Sequence, residues 1–325
     1  MDRYGRCIDY MRVSVTDRCN LRCLYCMPRS GEAQPMSHLL QDDELVQICA
    51  AAAELGIRKL KITGGEPLVR RGCAALIARM KTLPGIEQVT MTTNGVLLAR
   101  ELPALMKAGL DAVNISLDSL DRARYASITG LDALPAVWDG INRALDSGLR
   151  VKLNCVLQQG LNEEELFDLA ALAKDLPLDV RFIELMPIGL GKAGGGLSNT
   201  VLRERLSTRW PAMEEDPRVH GNGPAVYVRV PGWRGGIGFI SAIHGKFCAG
   251  CNRIRLTAQG KVKPCLCYAE SIDLRPILRA GTPETETREA LGAALREAIA
   301  AKPLQHCFED PAAVTETARM ASIGG

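Results

Sequence analysis

Long apolar runs are missing from this sequence. The longest weakly polar stretch, around residues 48–53, is far shorter than the roughly 20 residues a membrane-spanning helix needs. The opening residues, MDRYGRCIDYMR, contain no apolar signal region, so secretion is not expected and the cytoplasm is the default compartment. An excess of one charge is missing too. The 40 Lys and Arg against 37 Asp and Glu leave a net charge of +3, too little to hold nucleic acid or a membrane by bulk electrostatics. A local basic pocket depends on placement and is untouched by that sum. No internal repeat is present, which excludes solenoids and propellers. With 47% hydrophobic residues over 325 positions, the chain can bury a sizeable core, and disorder is not expected.

Cysteine is plentiful: there are twelve. In a reducing compartment, clustered cysteines bind metal or carry redox chemistry more often than they build a disulfide framework. Cys19, Cys23 and Cys26 form one group. Cys248, Cys251 and Cys265 form a second, with Cys267 beside it. Cys7, Cys49, Cys73, Cys155 and Cys307 are scattered and read as small buried apolar residues.

The first half alternates strand-like and helix-like stretches. Strands are expected at 10–15, 59–63, 88–93, 112–117, 151–157 and 180–185. Amphipathic helices are expected at 42–55, 73–82, 100–108, 136–147 and 163–174. Six strands joined by crossover helices imply an α/β fold with a parallel sheet. Periodicity leaves a doubly wound sheet and a barrel both open. Polar residues recur at the strand ends, from Thr63-Gly64-Gly65-Glu66 to Glu184-Leu185-Met186-Pro187, which favours a barrel or partial barrel with one site on its C-terminal face. After Met186 a Gly-rich stretch at 189–196 reads as a flexible linker or mobile loop. A smaller α+β region follows, with a helix at 199–208, β-like segments near 225–230, 237–241, 253–257 and 262–265, and a helix at 284–299. The division expected is 1–188 and 189–325.

Three thiolates on the short loop Cys19-x3-Cys23-x2-Cys26 can hold three irons of a cubane cluster and leave the fourth iron open. Zinc usually shows paired short spacings and four ligands, and no fourth Cys or His lies nearby. At the second group a structural zinc site remains an alternative, closed by Cys267. Arg253 and Arg255, two apart on a strand, share a face, and their guanidinium forks suit phosphate or the acceptor edge of guanine.

The first cysteine spacing, with an aromatic residue before the last Cys, resembles the radical S-adenosylmethionine (SAM) superfamily signature. Thr63-Gly64-Gly65-Glu66-Pro67 resembles its second motif. The whole chain then resembles the GTP 3′,8-cyclases, which open molybdenum cofactor biosynthesis. The matching segments are 12–20, 62–68, 92–95, 114–118, 181–187, Cys248-x2-Cys251-Asn-Arg-x-Arg-Leu, and the closing Met320-x2-Ile-Gly-Gly325. The resemblance implies an incomplete parallel (βα)6 TIM-like barrel whose open side is covered by the C-terminal region. It implies two [4Fe–4S] clusters, one on Cys19, Cys23 and Cys26 that cleaves SAM, the other on Cys248, Cys251 and Cys265 that binds GTP. Tyr25, Gly65, Ser116 and Met186 fall at SAM-contacting positions. Arg12, Lys61, Thr92, Lys152, Arg253, Ile254 and Arg255 fall at GTP-contacting positions, and Arg253 and Arg255 join the three N-terminal cysteines as catalytic residues. The radical would take hydrogen from the ribose 3′ carbon, which then attacks carbon 8 of guanine. The resemblance further implies a downstream cyclic pyranopterin monophosphate synthase, an electron donor such as flavodoxin or ferredoxin, and a homodimer, with no nucleic acid or membrane partner. It also places the Gly324-Gly325 tail inside the enzyme's own cavity. Two rival readings are a different two-cluster radical SAM enzyme, such as one that modifies peptides, and a non-catalytic zinc or iron–sulfur nucleotide-binding regulator.

Overall fold

The computed structural model describes residues 1–27 and 38–324. Six parallel strands lie side by side in chain order: β1 (Tyr10–Ser14), β2 (Lys59–Thr63), β3 (Gln88–Thr93), β4 (Ala112–Ser116), β5 (Arg150–Cys155) and β6 (Leu178–Ile183). A doubly wound sheet reverses its strand order at one point. No such reversal occurs between β1 and β6, so the sheet winds in one direction, as a barrel does. The connecting helices are α1 (Asp42–Glu54), α2 (Cys73–Lys81), α3 (Leu98–Lys107), α4 (Arg122–Thr129), α5 (Leu134–Asp146) and α6 (Leu166–Asp175).

Strand alternation divides the two faces. Met11, Val13, Leu60, Ile62, Val89, Met91, Val113, Ile115, Val151, Leu153, Val180 and Phe182 belong to one continuous buried core with the helices. Each such side chain contributes about 1.5–3 kcal/mol by leaving water. The intervening residues Arg12, Lys61, Thr92, Asn114, Lys152 and Arg181 point to the other face. An ordinary barrel fills that interior with branched apolar side chains. Here it is polar and encloses a cavity of about 540 Å³.

The C-terminal residues extend the same sheet from both edges. Beyond β6 come β9 (Ile237–Ile240), parallel, then β8 (Val226–Arg229) and β7 (Glu214–Glu215), antiparallel. Beyond β1 come β10 (Arg253–Leu256), parallel, then β11 (Lys261–Lys263) and β12 (Ile272–Asp273), antiparallel. Helices α7 (Asn199–Arg209), α8 (Arg275–Leu278) and α9 (Glu284–Ala300) complete the region, with α9 against α1. A second apolar cluster of Ile188, Leu266, Cys267, Phe308, Val314 and Ile323 fastens the last residues to the loop after β6.

Several expectations need correction. Helix α4 is absent from the sequence reading. The Gly-rich stretch is a packed turn rather than a linker: a Cβ on Gly191 would lie 2.3 Å from the Met186 carbonyl oxygen, and the Gln159 amide donates to the Gly195 carbonyl. Cys7 is exposed and Cys307 half-buried, whereas Cys49, Cys73 and Cys155 are buried as expected.

Candidate active site

The first cysteine loop leaves the C-terminal end of β1 and meets the turn after β2. The Gly65 amide donates to the Thr16 carbonyl and the Glu66 amide to the Arg18 carbonyl, both at 2.8 Å. Only glycine fits there, since a Cβ on Gly65 would sit 2.4 Å from the Arg18 oxygen. The buried Glu66 carboxylate ties the next strand end, accepting from the Asn94 amide at 2.6 Å and Thr93 Oγ1 at 2.7 Å. Burial pushes that carboxyl up to about 7, against those hydrogen bonds. Helix α4 braces the loop from outside: the Arg22 amide donates to the Thr129 carbonyl and the Leu24 amide to the Ile128 carbonyl.

Cys19, Cys23 and Cys26 all face the cavity. Burial pushes the Cys26 thiol up to about 12, with Cys19 adding to the shift. Cys23 is raised by burial, then by Asp118, Cys26 and Cys19. Among the described residues no three Cys, His, Asp or Glu side chains are set to hold a metal ion, and the fit of a cluster to this loop rests on three thiols of short spacing facing one cavity. Tyr25 lines the same end and donates its hydroxyl to Asp118 at 2.5 Å. Gly65, Ser116 and Met186 complete that wall.

Cys248, Cys251 and Cys265 line the cavity at its other end. Cys251 lies just before β10, which runs in register with β1, Tyr10 opposite Arg253. The two thiol groups therefore lie at opposite ends of the paired strands β1 and β10. Burial raises the Cys251 thiol, but the Arg253 and Lys302 charges outweigh it and bring it down to about 7. Two cations missed by the sequence reading fasten this end. Arg6 donates to the carbonyls of Cys248, Pro303 and Leu304, and buried Lys302 donates to those of Arg253 and Pro264. Cys267 does not join the group. Its sulfur faces Cys307 Sγ at 3.2 Å within the second apolar cluster.

Between the thiol groups runs a row of cations. Arg255, Arg12 and Lys61 are direct neighbours across β10, β1 and β2, and Arg253, Lys152 and Arg181 share the cavity. Arg255 is brought down to about 9 by burial, then by Arg12 and Arg253. Lys61 falls well below its usual range through burial, then through Arg181, Arg12 and Lys152. Thr92 lines the same wall. Ile254 does not: its side chain is fully buried in the core on the opposite face. Arg181 was not singled out from the sequence, although it sits within a quoted motif. It donates to Asn154 Oδ1 at 2.5 Å. The tail reaches this row. Arg255 Nη1 donates to the Gly324 carbonyl at 2.7 Å and Arg12 Nε at 3.3 Å; Gly325 lies outside the described residues.

The model for the Radical SAM superfamily matches residues 13–173, and that for Molybdenum Cofactor Synthesis C matches residues 178–308. A GTP 3′,8-cyclase of Moorella thermoacetica is 43% identical, aligned over 100% of this chain and 99% of its own length. One from Heliobacterium modesticaldum is 44% identical over 100% of both. Among solved structures, Streptococcus suis SuiB superposes with a TM-score of 0.64 at 15% identity, covering 93% of this chain and 68% of SuiB, a likeness of fold.

Proposed function

The chain belongs to the GTP 3′,8-cyclase family of radical SAM enzymes, and from that membership we propose how its own residues divide the work. It catalyses the first step of molybdenum cofactor synthesis, converting GTP to 3′,8-cyclo-7,8-dihydro-GTP with SAM and an iron–sulfur cluster. When bound, the cluster supplies the electron that cleaves SAM to methionine and a 5′-deoxyadenosyl radical. The 5′-deoxyadenosyl radical takes hydrogen from the ribose 3′ carbon and becomes 5′-deoxyadenosine; that carbon joins carbon 8 as the C8–N7 double bond opens, and the resulting base radical takes one electron from the external reductant and one proton to give the 7,8-dihydro product.

Cys19, Cys23 and Cys26 hold the SAM-cleaving cluster. Tyr25, Gly65, Ser116 and Met186 border SAM. Cys248, Cys251 and Cys265 would hold a second [4Fe–4S] cluster, whose open iron would bind GTP. Arg12, Lys61, Thr92, Lys152, Arg253 and Arg255 bind the nucleotide, with Ile254 limited to its backbone. The observation that carries this division is the cation row between two thiol groups facing one cavity. GTP brings about four negative charges, which offset a row of cations that depress one another. Residues 1–188 then supply the radical and residues 189–325 the substrate cluster. A flavodoxin or ferredoxin as electron donor, a homodimer, a cytoplasmic setting and a cyclic pyranopterin monophosphate synthase downstream complete the proposal on family resemblance.

The test is anaerobic turnover with SAM, GTP and a reductant. Replacing Cys19, Cys23 or Cys26 with Ala is expected to abolish 5′-deoxyadenosine. Replacing Cys248, Cys251 or Cys265 is expected to halve the iron, spare SAM binding and abolish cyclised product. Undiminished 5′-deoxyadenosine from the first set, or undiminished product from the second, refutes the assignment.

A further inference from the structure

The N-terminal ends of β5 and β6 are closed by the loop between β7 and β8, and its anchor is His220. The ring lies between two carboxylates, Nδ1 3.0 Å from Asp179 Oδ2 and Nε2 2.9 Å from Asp216 Oδ2. Each ring nitrogen thus faces a carboxylate oxygen, so the ring bridges the two acids. One face of the ring stacks on Tyr227, centroids 3.9 Å apart and planes 9° apart. Two glycines make room: a Cβ on Gly236 would lie 3.1 Å from His220 Cε1, and one on Gly238 would lie 2.8 Å from Tyr227 Cε1.

This clasp holds one of the cavity's cations. Lys152 Nζ donates to the His220 carbonyl, to Tyr227 Oη at 3.1 Å and to Asp179 Oδ2 at 3.2 Å. Asp179 is thus shared. Its Oδ2 faces both His220 and Lys152, and its Oδ1 accepts from the Gly236 amide. Asp216 is shared in turn with Arg218, at 2.6 Å. A carboxylate that also serves a histidine ring and a backbone amide neutralises its lysine incompletely, which leaves Lys152 charge to offer to an anion.

We infer that His220, clasped by Asp179 and Asp216, is a positioning residue for the nucleotide, setting the place and the residual charge of Lys152. The inference rests on the reading that Lys152 meets the phosphates of GTP. Burial, partly offset by Asp179, brings the Lys152 amine down to about 8, as expected where one shared carboxylate is its counter-charge.

The experiment measures GTP affinity of the cluster-loaded enzyme without reductant, for the parent, Lys152→Ala, His220→Phe and the double variant. Phe keeps the stack on Tyr227 and removes both ring nitrogens. Lys152→Ala and His220→Phe are each expected to weaken GTP about tenfold, the scale of one charged hydrogen bond. The double variant should be no weaker than Lys152→Ala, because His220 acts through that lysine. SAM affinity and iron content should stay at parent values. Parent-like affinity in His220→Phe overturns the inference, and so does an equal further loss in the Lys152→Ala background, the mark of a merely structural residue. Parent-like affinity in Lys152→Ala refutes the phosphate reading itself and the clasp with it. Should His220→Phe not fold, Asp216→Asn replaces it with the same expected coupling, and parent-like affinity there is equally fatal.

Discussion

Gly65 shows how narrowly one residue can constrain the site. A Cβ there would lie 2.4 Å from the Arg18 carbonyl oxygen and 2.9 Å from that of Asp17, both backbone atoms that cannot swing aside. Gly65→Ala must therefore push the cysteine loop off the turn after β2, and we predict that it loses both iron and SAM binding, read by iron assay and equilibrium binding. The glycine was legible because it stands in a motif at a strand end. Glu66 and Asp118 stand in quoted motifs without a role read from them, and Lys302 and Arg6 gave no signal, since each acts through the backbone or a neighbour that folding brings from far along the chain. Lys152 carries a second prediction, about pH. Burial lowers its amine from 10.5 to about 8, so above pH 8 the free enzyme loses the charge and GTP binding must bring a proton back. Apparent GTP affinity should fall as pH rises through about 8, approaching tenfold per unit beyond it. Lys152→Arg, charged throughout, should flatten that limb, and an unchanged profile in this variant would assign the titration to another group.

At the scale of elements, strands 59–63 and 88–93 match the expected bounds, because each is an apolar–polar alternation closed by a turn. The last strand lies two residues earlier than expected, at Leu178–Ile183, since the Glu184 carboxylate has already turned to cap the amides of Asn199, Ile243 and His244. Helix α4 was illegible for another reason. It buries only Tyr125, Ile128 and Thr129, too few for an apolar stripe. Its signals are local: Asp121 caps the Arg124 amide at 2.7 Å, and Gly130 ends the helix at φ +76°. Its C-terminal carbonyls brace the cysteine loop through Arg22 and Leu24. Asp121→Ala should cost about 1 kcal/mol in denaturant unfolding. It should also speed the loss of iron to a chelator, because the brace loosens with the helix end. Unchanged iron release would separate α4 from the cluster loop.

Taken whole, the molecule is one sheet whose two edges are both built from the second half of the chain, so the cavity is closed by residues remote in sequence. That closure explains why the parallel strands could be read from local periodicity while the cavity's floor, with His220 and its two carboxylates, could not. It also gives the tail its place. After Phe308 and Val314 pack beside Cys267, the chain returns to the cation row and ends against β1 and β2, where a Cβ on Gly324 would lie 3.2 Å from both Ser14 Cβ and Thr63 Oγ1. Its φ of +76° asks for glycine, and its carbonyl accepts from Arg255 and Arg12. The tail therefore holds two guanidiniums of the cation row through a backbone carbonyl. Deleting Gly324 and Gly325 should leave iron content and SAM binding intact and let 5′-deoxyadenosine form, while cyclised product falls more than about tenfold, the loss of at least one charged hydrogen bond. Gly324→Ala, which keeps the carbonyl but strains the backbone by about 1 kcal/mol, should fall between the truncated and full-length enzymes. A truncated enzyme that cyclises GTP at the full rate would show that the two arginines hold their places without the tail.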